Sequence, residues 1–241
     1  MRLFLLIPAS VFIHLALVVA PISAEDYHFK LVEWLETRAD GHTLSKGKGH
    51  LGVSLLRGQT ANLLAGSRME LLSNHGEVVR LGDETIFTLL HDQQVRLSAG
   101  EMLLSLPRLE KPFRVQGPAT SFWIRDRGTV VAQVTTNRGI KLVCLSGRPT
   151  LLAGAQEAVL EPGHVYFLPP GPPRLGRNIL IDLTLFLRTS ALIQTFSKKL
   201  PAEREIRNTA FRQAVSIKKR TRLFVGDATT AEDFDLLMVE D

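Results

Sequence analysis

Thr129-Val130-Val131-Ala132-Gln133-Val134-Thr135-Thr136, then Asn137-Arg138-Gly139, then Ile140-Lys141-Leu142-Val143-Cys144-Leu145: two apolar, β-branched runs are joined by residues that suit a tight turn. In the first run Val130, Ala132 and Val134 fall on one side and Val131, Gln133 and Thr135 on the other, which is the period of an extended strand. The segment predicts two antiparallel strands closed by a short turn.

The same rhythm continues outward. From about Leu51 to Leu168, Gly, Pro and Asn/Asp clusters recur every ~8–12 residues between short runs rich in Val, Ile, Leu, Thr and Phe. Strands are expected at Arg68–Leu72, Glu77–Leu81, Glu84–Leu90, Gln94–Leu97, Glu101–Leu106 and Phe113–Gln116. More follow at Thr120–Arg125, Thr129–Thr136, Ile140–Leu145, Thr150–Leu152, Ala158–Leu160 and Val165–Leu168. So many short strands suit a mainly β fold, an antiparallel sandwich, jelly roll or hairpin stack, rather than a parallel sheet. After Pro173 the spacing turns helical. Leu183, Phe186, Leu187, Ile193, Phe196 and Leu200 follow a cap at Asp182, and Ile206, Ala210, Ala214 and Ile217 share a face behind Pro201. An amphipathic helical hairpin is expected there, and a short helix over Asp26–Thr37 with Leu31, Val32 and Leu35. The Gly/Lys/His stretch 41–50 reads as a polar loop.

Compartment is legible at the other end. Met1-Arg2 is followed by uncharged Leu3–Ala20 and then the small-residue stretch Pro21-Ile22-Ser23-Ala24, the pattern of a secretory signal cut after Ala24. An uncleaved membrane anchor is the alternative. Either way a periplasmic or secreted location is expected. The 241-residue chain is 45% apolar and 22% charged, which excludes a disordered or multi-span membrane protein. Cys144, the single cysteine, cannot form an intramolecular disulfide, and its apolar run predicts a buried strand thiol.

A net charge of +5 conceals two blocks of opposite sign. Lys198, Lys199, Arg204, Arg207, Arg212, Lys218, Lys219, Arg220 and Arg222 are the candidate partner-binding residues, with Glu203 and Glu205 as the acids among them. Residues 223–241 carry Asp227, Glu232, Asp233, Asp235, Glu240 and Asp241 and no Lys or Arg. This predicts a charged docking surface that the acidic tail covers when no partner is present. Nucleic acid is not expected as the partner, because the basic block lacks interleaved aromatic residues for base stacking.

Leu97-Ser98-Ala99-Gly100-Glu101-Met102-Leu103-Leu104-Ser105-Leu106-Pro107, with Lys111-Pro112-Phe113-Arg114-Val115-Gln116-Gly117-Pro118-Ala119-Thr120, resembles the FecR-like domain. That family shows a turn glycine, a strand, then "pF-x-V" and "tP-x-A". Lys141–Gly147 looks like its "v-x-v-l-x-G" strand, and Leu160–Leu168 like its closing "l-x-x-G-q-x-x-x-v". The chain departs from the family's "G-T-x-F" step, where Ser121-Phe122-Trp123-Ile124 runs on to Arg127-Gly128-Thr129-Val130. The resemblance spans roughly Gly52 to Pro170. It implies a periplasmic, all-β interaction module that is not an enzyme.

The expected organisation is then a signal peptide at 1–24, an N-terminal segment at 25–50, a FecR-like β domain at 51–172, a helical appendage at 173–222 and an acidic tail at 223–241. No cofactor or small-molecule substrate is expected. Gly163-x5-Pro169-Pro170-Gly171-x2-Arg174-x3-Asn178 has the spacing of the second cupin motif, but Arg174 stands at the ligand position and offers no lone pair to a metal. No Gly-x-Ser-x-Gly elbow anchors hydrolase chemistry, and Gly47-Lys48-Gly49 lacks the hydroxyl of a phosphate loop. The scattered histidines, His42 and His50 among them, fix no metal geometry. The expected function is a non-enzymatic binding or structural module of the cell envelope, partnered by an envelope protein or polymer. Membrane contact is expected only through an uncleaved N-terminus or the basic helices. A periplasmic signalling or regulatory subunit is the alternative, followed by an envelope enzyme on a jelly-roll scaffold.

Overall fold

The computed structural model describes residues 27–37, 44–46, 52–107 and 111–217. The signal segment, the acidic tail and Lys218, Lys219, Arg220 and Arg222 lie outside the described residues. Along the chain come β1 (Phe29–Thr37), β2 (Leu44–Lys46), β3 (Ser54–Leu55), β4 (Thr60–Asn62), β5 (Ser67–Ser73), β6 (Val78–Leu81) and β7 (Ile86–His91). They are followed by β8 (Gln94–Ala99), β9 (Glu101–Leu106), β10 (Phe113–Gln116), β11 (Ser121–Arg125), β12 (Gly128–Val134) and β13 (Ile140–Gly147). Last come β14 (Thr150–Ala153), β15 (Gln156–Val159), β16 (His164–Leu168), β17 (Asn178–Leu180), α1 (Leu183–Thr189), α2 (Ala191–Gln194) and α3 (Glu203–Ile217).

These strands form two facing sheets. One has the order β17-β16-β13-β12-β9-β6-β5-β1-β2, with β3 beside β1; the other runs β15-β14-β11-β10-β8-β7-β4. Successive hairpins alternate between the sheets, and among the described pairs only β8 and β10 are parallel. The fold is therefore mainly β, a sandwich, with helices at its C-terminal end.

The side-chain pattern explains which face each sheet buries. In β11, Phe122 and Ile124 point inward while Ser121, Trp123 and Arg125 alternate outward, as expected where one face meets solvent. β13 does not alternate: Leu142 and Cys144 join the core between the sheets, while Val143 and Leu145 join a second cluster on the opposite face. That second cluster also takes Val78, Leu103, Val131, Val165 and Phe167, and the helices supply its other half through Leu183, Leu192, Leu200, Ile206 and Ala210. The first sheet is thus buried on both faces along its middle, which is why Leu142–Leu145 reads as a continuous apolar run.

Two expectations are corrected. In place of the helix expected over Asp26–Thr37, Phe29–Thr37 among the described residues of that stretch is β1, paired with β5, β2 and β3. A bulge between Leu31 and Glu33 shifts the strand's parity, so the inward residues Phe29, Leu31 and Trp34 are spaced unevenly. Leu31, Trp34 and Leu35 then fall at i, i+3 and i+4, the spacing of a helical stripe. The C-terminal hairpin is also broken further than expected. Asp182 does cap α1, its Oδ1 accepting from the Leu185 N–H at 2.9 Å. The helix then stops at Ser190, whose backbone is extended, before the separate turn α2.

Cys144 is fully buried in β13, and its Sγ lies 3.6 Å from the Leu160 carbonyl oxygen. Burial, and then the Glu161 carboxylate, push its thiol from 9.0 up to about 12. Below pH 9 the thiol is neutral in both folded and unfolded chains, and its contribution to stability is complete. Between 9.0 and about 12 only the unfolded chain ionises, so stability falls as pH rises. Tyr27, raised by burial and by Glu77, adds to the same decline. Urea unfolding followed across this window is expected to show a shallower loss in Cys144→Ala; an unchanged slope would contradict a protected thiol.

A candidate interaction groove on the helical cap

A row of charged side chains crosses the outer face of the first sheet beneath the helices. Cross-strand register sets Glu33 beside Glu70, and Glu70 beside Arg80. All three are buried. Arg80 Nε donates to Glu70 Oε2 at 2.8 Å, its Nη1 donates to the Leu192 carbonyl at 3.0 Å, and its Nη2 donates to the Lys198 carbonyl. The guanidinium lies 4.6 Å from the centre of the Phe196 ring. Both oxygens of Glu33 accept from the Ser197 N–H, at 3.2 and 3.0 Å. Backbone polar groups of α2 and of the turn after it are thus satisfied by the sheet rather than by water.

Two further contacts fix α3. The Leu183 N–H donates to Gln213 Oε1 at 2.9 Å, and the Gly147 N–H donates to Glu205 Oε1, also at 2.9 Å. Arg127 reaches the other oxygen of Glu205 at 2.7 Å, though at an exposed position where an ion pair contributes at most about 1 kcal/mol. These contacts tie α3 near one end to the close of β13 and near the other to the start of α1.

A groove of about 520 Å³ lies between α3 and the helices α1 and α2. Leu187, Ile193, Leu200, Ile206, Ala210 and Ala214 contribute its apolar lining, and Arg188, Lys198, Lys199 and Arg207 contribute cations. Arg207 is paired with Glu203 one turn earlier, at 2.8 Å. Phe211, which also lines the groove, is 71% exposed, and Val215 one turn on is 57% exposed. An apolar floor with a cationic edge suits an amphipathic, acidic segment: burial of side chains supplies affinity, and charge supplies orientation.

Of the candidate basic residues, the structure brings Lys198, Lys199 and Arg207 to this groove and leaves Arg204 and Arg212 exposed on α3 outside its lining. Sequence reasoning missed Arg188, because α1 was read only for its apolar positions. It also missed Phe211 and Val215. Their i, i+4 spacing beside the Ile206–Ala210–Ala214 stripe was a usable signal of a second apolar face. A separate hollow of about 480 Å³ lies at the β8–β9 turn, with Asp83, Glu84, Glu101 and Gln133 in its wall.

No family model and no curated protein matches this chain. It is similar to two crystal structures of a putative anti-sigma factor from Parabacteroides distasonis. One shares 14% identity with a TM-score of 0.44 over 54% of this chain and 65% of that one, so slightly under two thirds of that protein is spanned. The other shares 13% identity with a TM-score of 0.44, over 71% of this chain and 96% of that one. Neither likeness bears on what this chain does.

Proposed function

We propose that the protein is a non-enzymatic, FecR-like binding module of the cell envelope, which holds an acidic, amphipathic segment of another envelope protein in the groove of its helical cap. The observation that carries this reading is the pair Phe211 and Val215, large apolar side chains left in solvent beside a cationic groove. Exposed apolar residues clustered at a concave site mark contact surfaces more often than chance scatter does. The envelope location rests on the export pattern at Met1–Ala24, and the FecR-like character on the landmarks from Gly100 to Leu168.

Burying the Phe211 ring in a partner is worth about 1.5–3 kcal/mol, so Phe211→Ala should weaken binding by roughly tenfold or more. The test places a photoreactive residue at position 211 in cells and compares it with one at Thr60, which is exposed on the opposite sheet. A defined protein adduct from position 211, lost on Lys198→Glu with Lys199→Glu, is expected. No adduct from 211, or the same adducts from both positions, would sink the reading.

A further inference from the structure

Resting on that reading of the groove, we propose that residues 232–241 of the same chain fill it when no partner is bound. The groove offers cations at Arg188, Lys198, Lys199 and Arg207, with Glu203 the acid in its lining. Glu232, Asp233, Asp235, Glu240 and Asp241 match that edge in sign, and Phe234, Leu236, Leu237, Met238 and Val239 between them supply apolar groups for the floor. Reach is ample. Residues 218–231, fully extended, span about 46 Å at ~3.3 Å each, whereas α3 is only about 22 Å long at 1.5 Å per residue. A segment tethered this closely is present at an effective concentration near the millimolar range, so a weak contact suffices to occupy the groove. A partner segment must then displace the tail, which makes the groove's availability depend on competition rather than on a change of fold.

The test keeps the full chain and introduces Val215→Cys with Leu237→Cys, leaving buried Cys144 in place. A second chain carries Thr60→Cys with Leu237→Cys as the control on the opposite sheet. The intramolecular disulfide of the first pair is expected to form about tenfold faster than that of the second, as local tethering predicts, and to slow in high salt. Asp233→Lys with Asp235→Lys should bring the first rate down to the control. Equal rates for the two pairs, or a rate indifferent to the charge reversal, would overturn the proposal. Amide exchange provides a readout without new cysteines: protection of α3 should fall severalfold in the Asp233→Lys, Asp235→Lys chain, and unchanged protection overturns the seat. A partner adduct at position 211 together with equal trapping rates removes the tail and leaves the partner reading standing; fast trapping without any partner adduct supports the tail and removes the partner.

Discussion

Arg80→Ala is expected to destabilise the protein by about 3–5 kcal/mol, the usual result of removing one member of a buried ion pair. Arg80 is 1% exposed, and the substitution leaves the buried Glu70 carboxylate, 2.8 Å from Arg80 Nε, without that cation beneath the helices. It also strips the Leu192 and Lys198 carbonyls of their shared donor and removes the cation from the face of Phe196. For a chain of this size the melting temperature should fall on the order of 10 °C. The loss should be uneven. Amides of the 183–200 stretch should exchange faster before those of the sandwich do, because the cap loses its anchor while the core between the sheets keeps its packing. Replacing both partners, as in Glu70→Leu with Arg80→Met, should recover most of the global stability but not the protection at residues 192 and 198, whose carbonyls regain no donor. A loss below about 1 kcal/mol in Arg80→Ala, or uniform loss of protection, would show that the clasp does not hold the cap.

How much of this was readable in advance follows from how local each signal is. Strands such as Phe113–Gln116 were legible because a two-residue period and flanking turns suffice to define them. The short strands Ser54–Leu55, Thr60–Asn62 and Asn178–Leu180 carry no period of their own and exist because a longer neighbour offers a free edge. Phe29–Thr37 misled for the opposite reason: the bulge at Leu31/Glu33 broke a real alternation. The cap's location was written in the helical spacing after Asp182, and its basic character in the charge count. The groove itself was not, since it depends on α3 being held by Glu205 and Gln213 at partners 58 and 30 residues away. Arg80 and Glu33 carried no sequence signal at all. Arg80 sits in a run that reads as an ordinary strand and Glu33 in one that reads as a short helix, and each is bonded to the turn after α2 across more than a hundred residues.

Gly147→Ala should cost about 3 kcal/mol or more, beyond the roughly 1–2 kcal/mol that a left-handed conformation alone imposes on a residue with a side chain. Gly147 closes β13 at φ +74°, directly opposite Gly128. A Cβ there would sit 2.5 Å from the Arg127 carbonyl oxygen and 2.8 Å from the Gly128 Cα, both backbone atoms that no rotamer can move aside. The strands must separate instead, and the movement pulls the Gly147 N–H away from Glu205, which it meets at 2.9 Å. Gly58 provides the comparison, because its φ is +81° and a Cβ would meet nothing within 4 Å. Gly58→Ala therefore reports the conformational cost by itself, about 1–2 kcal/mol. The difference between the two substitutions, measured by chemical unfolding, isolates the close approach of β12 and β13. Equal losses would mean that the strands accommodate a methyl group, and that the glycine pair serves the turn alone. A larger loss in Gly147→Ala, accompanied by faster exchange in α3 but not in Gly58→Ala, would show that this hairpin end also sets the position of the helix that walls the groove.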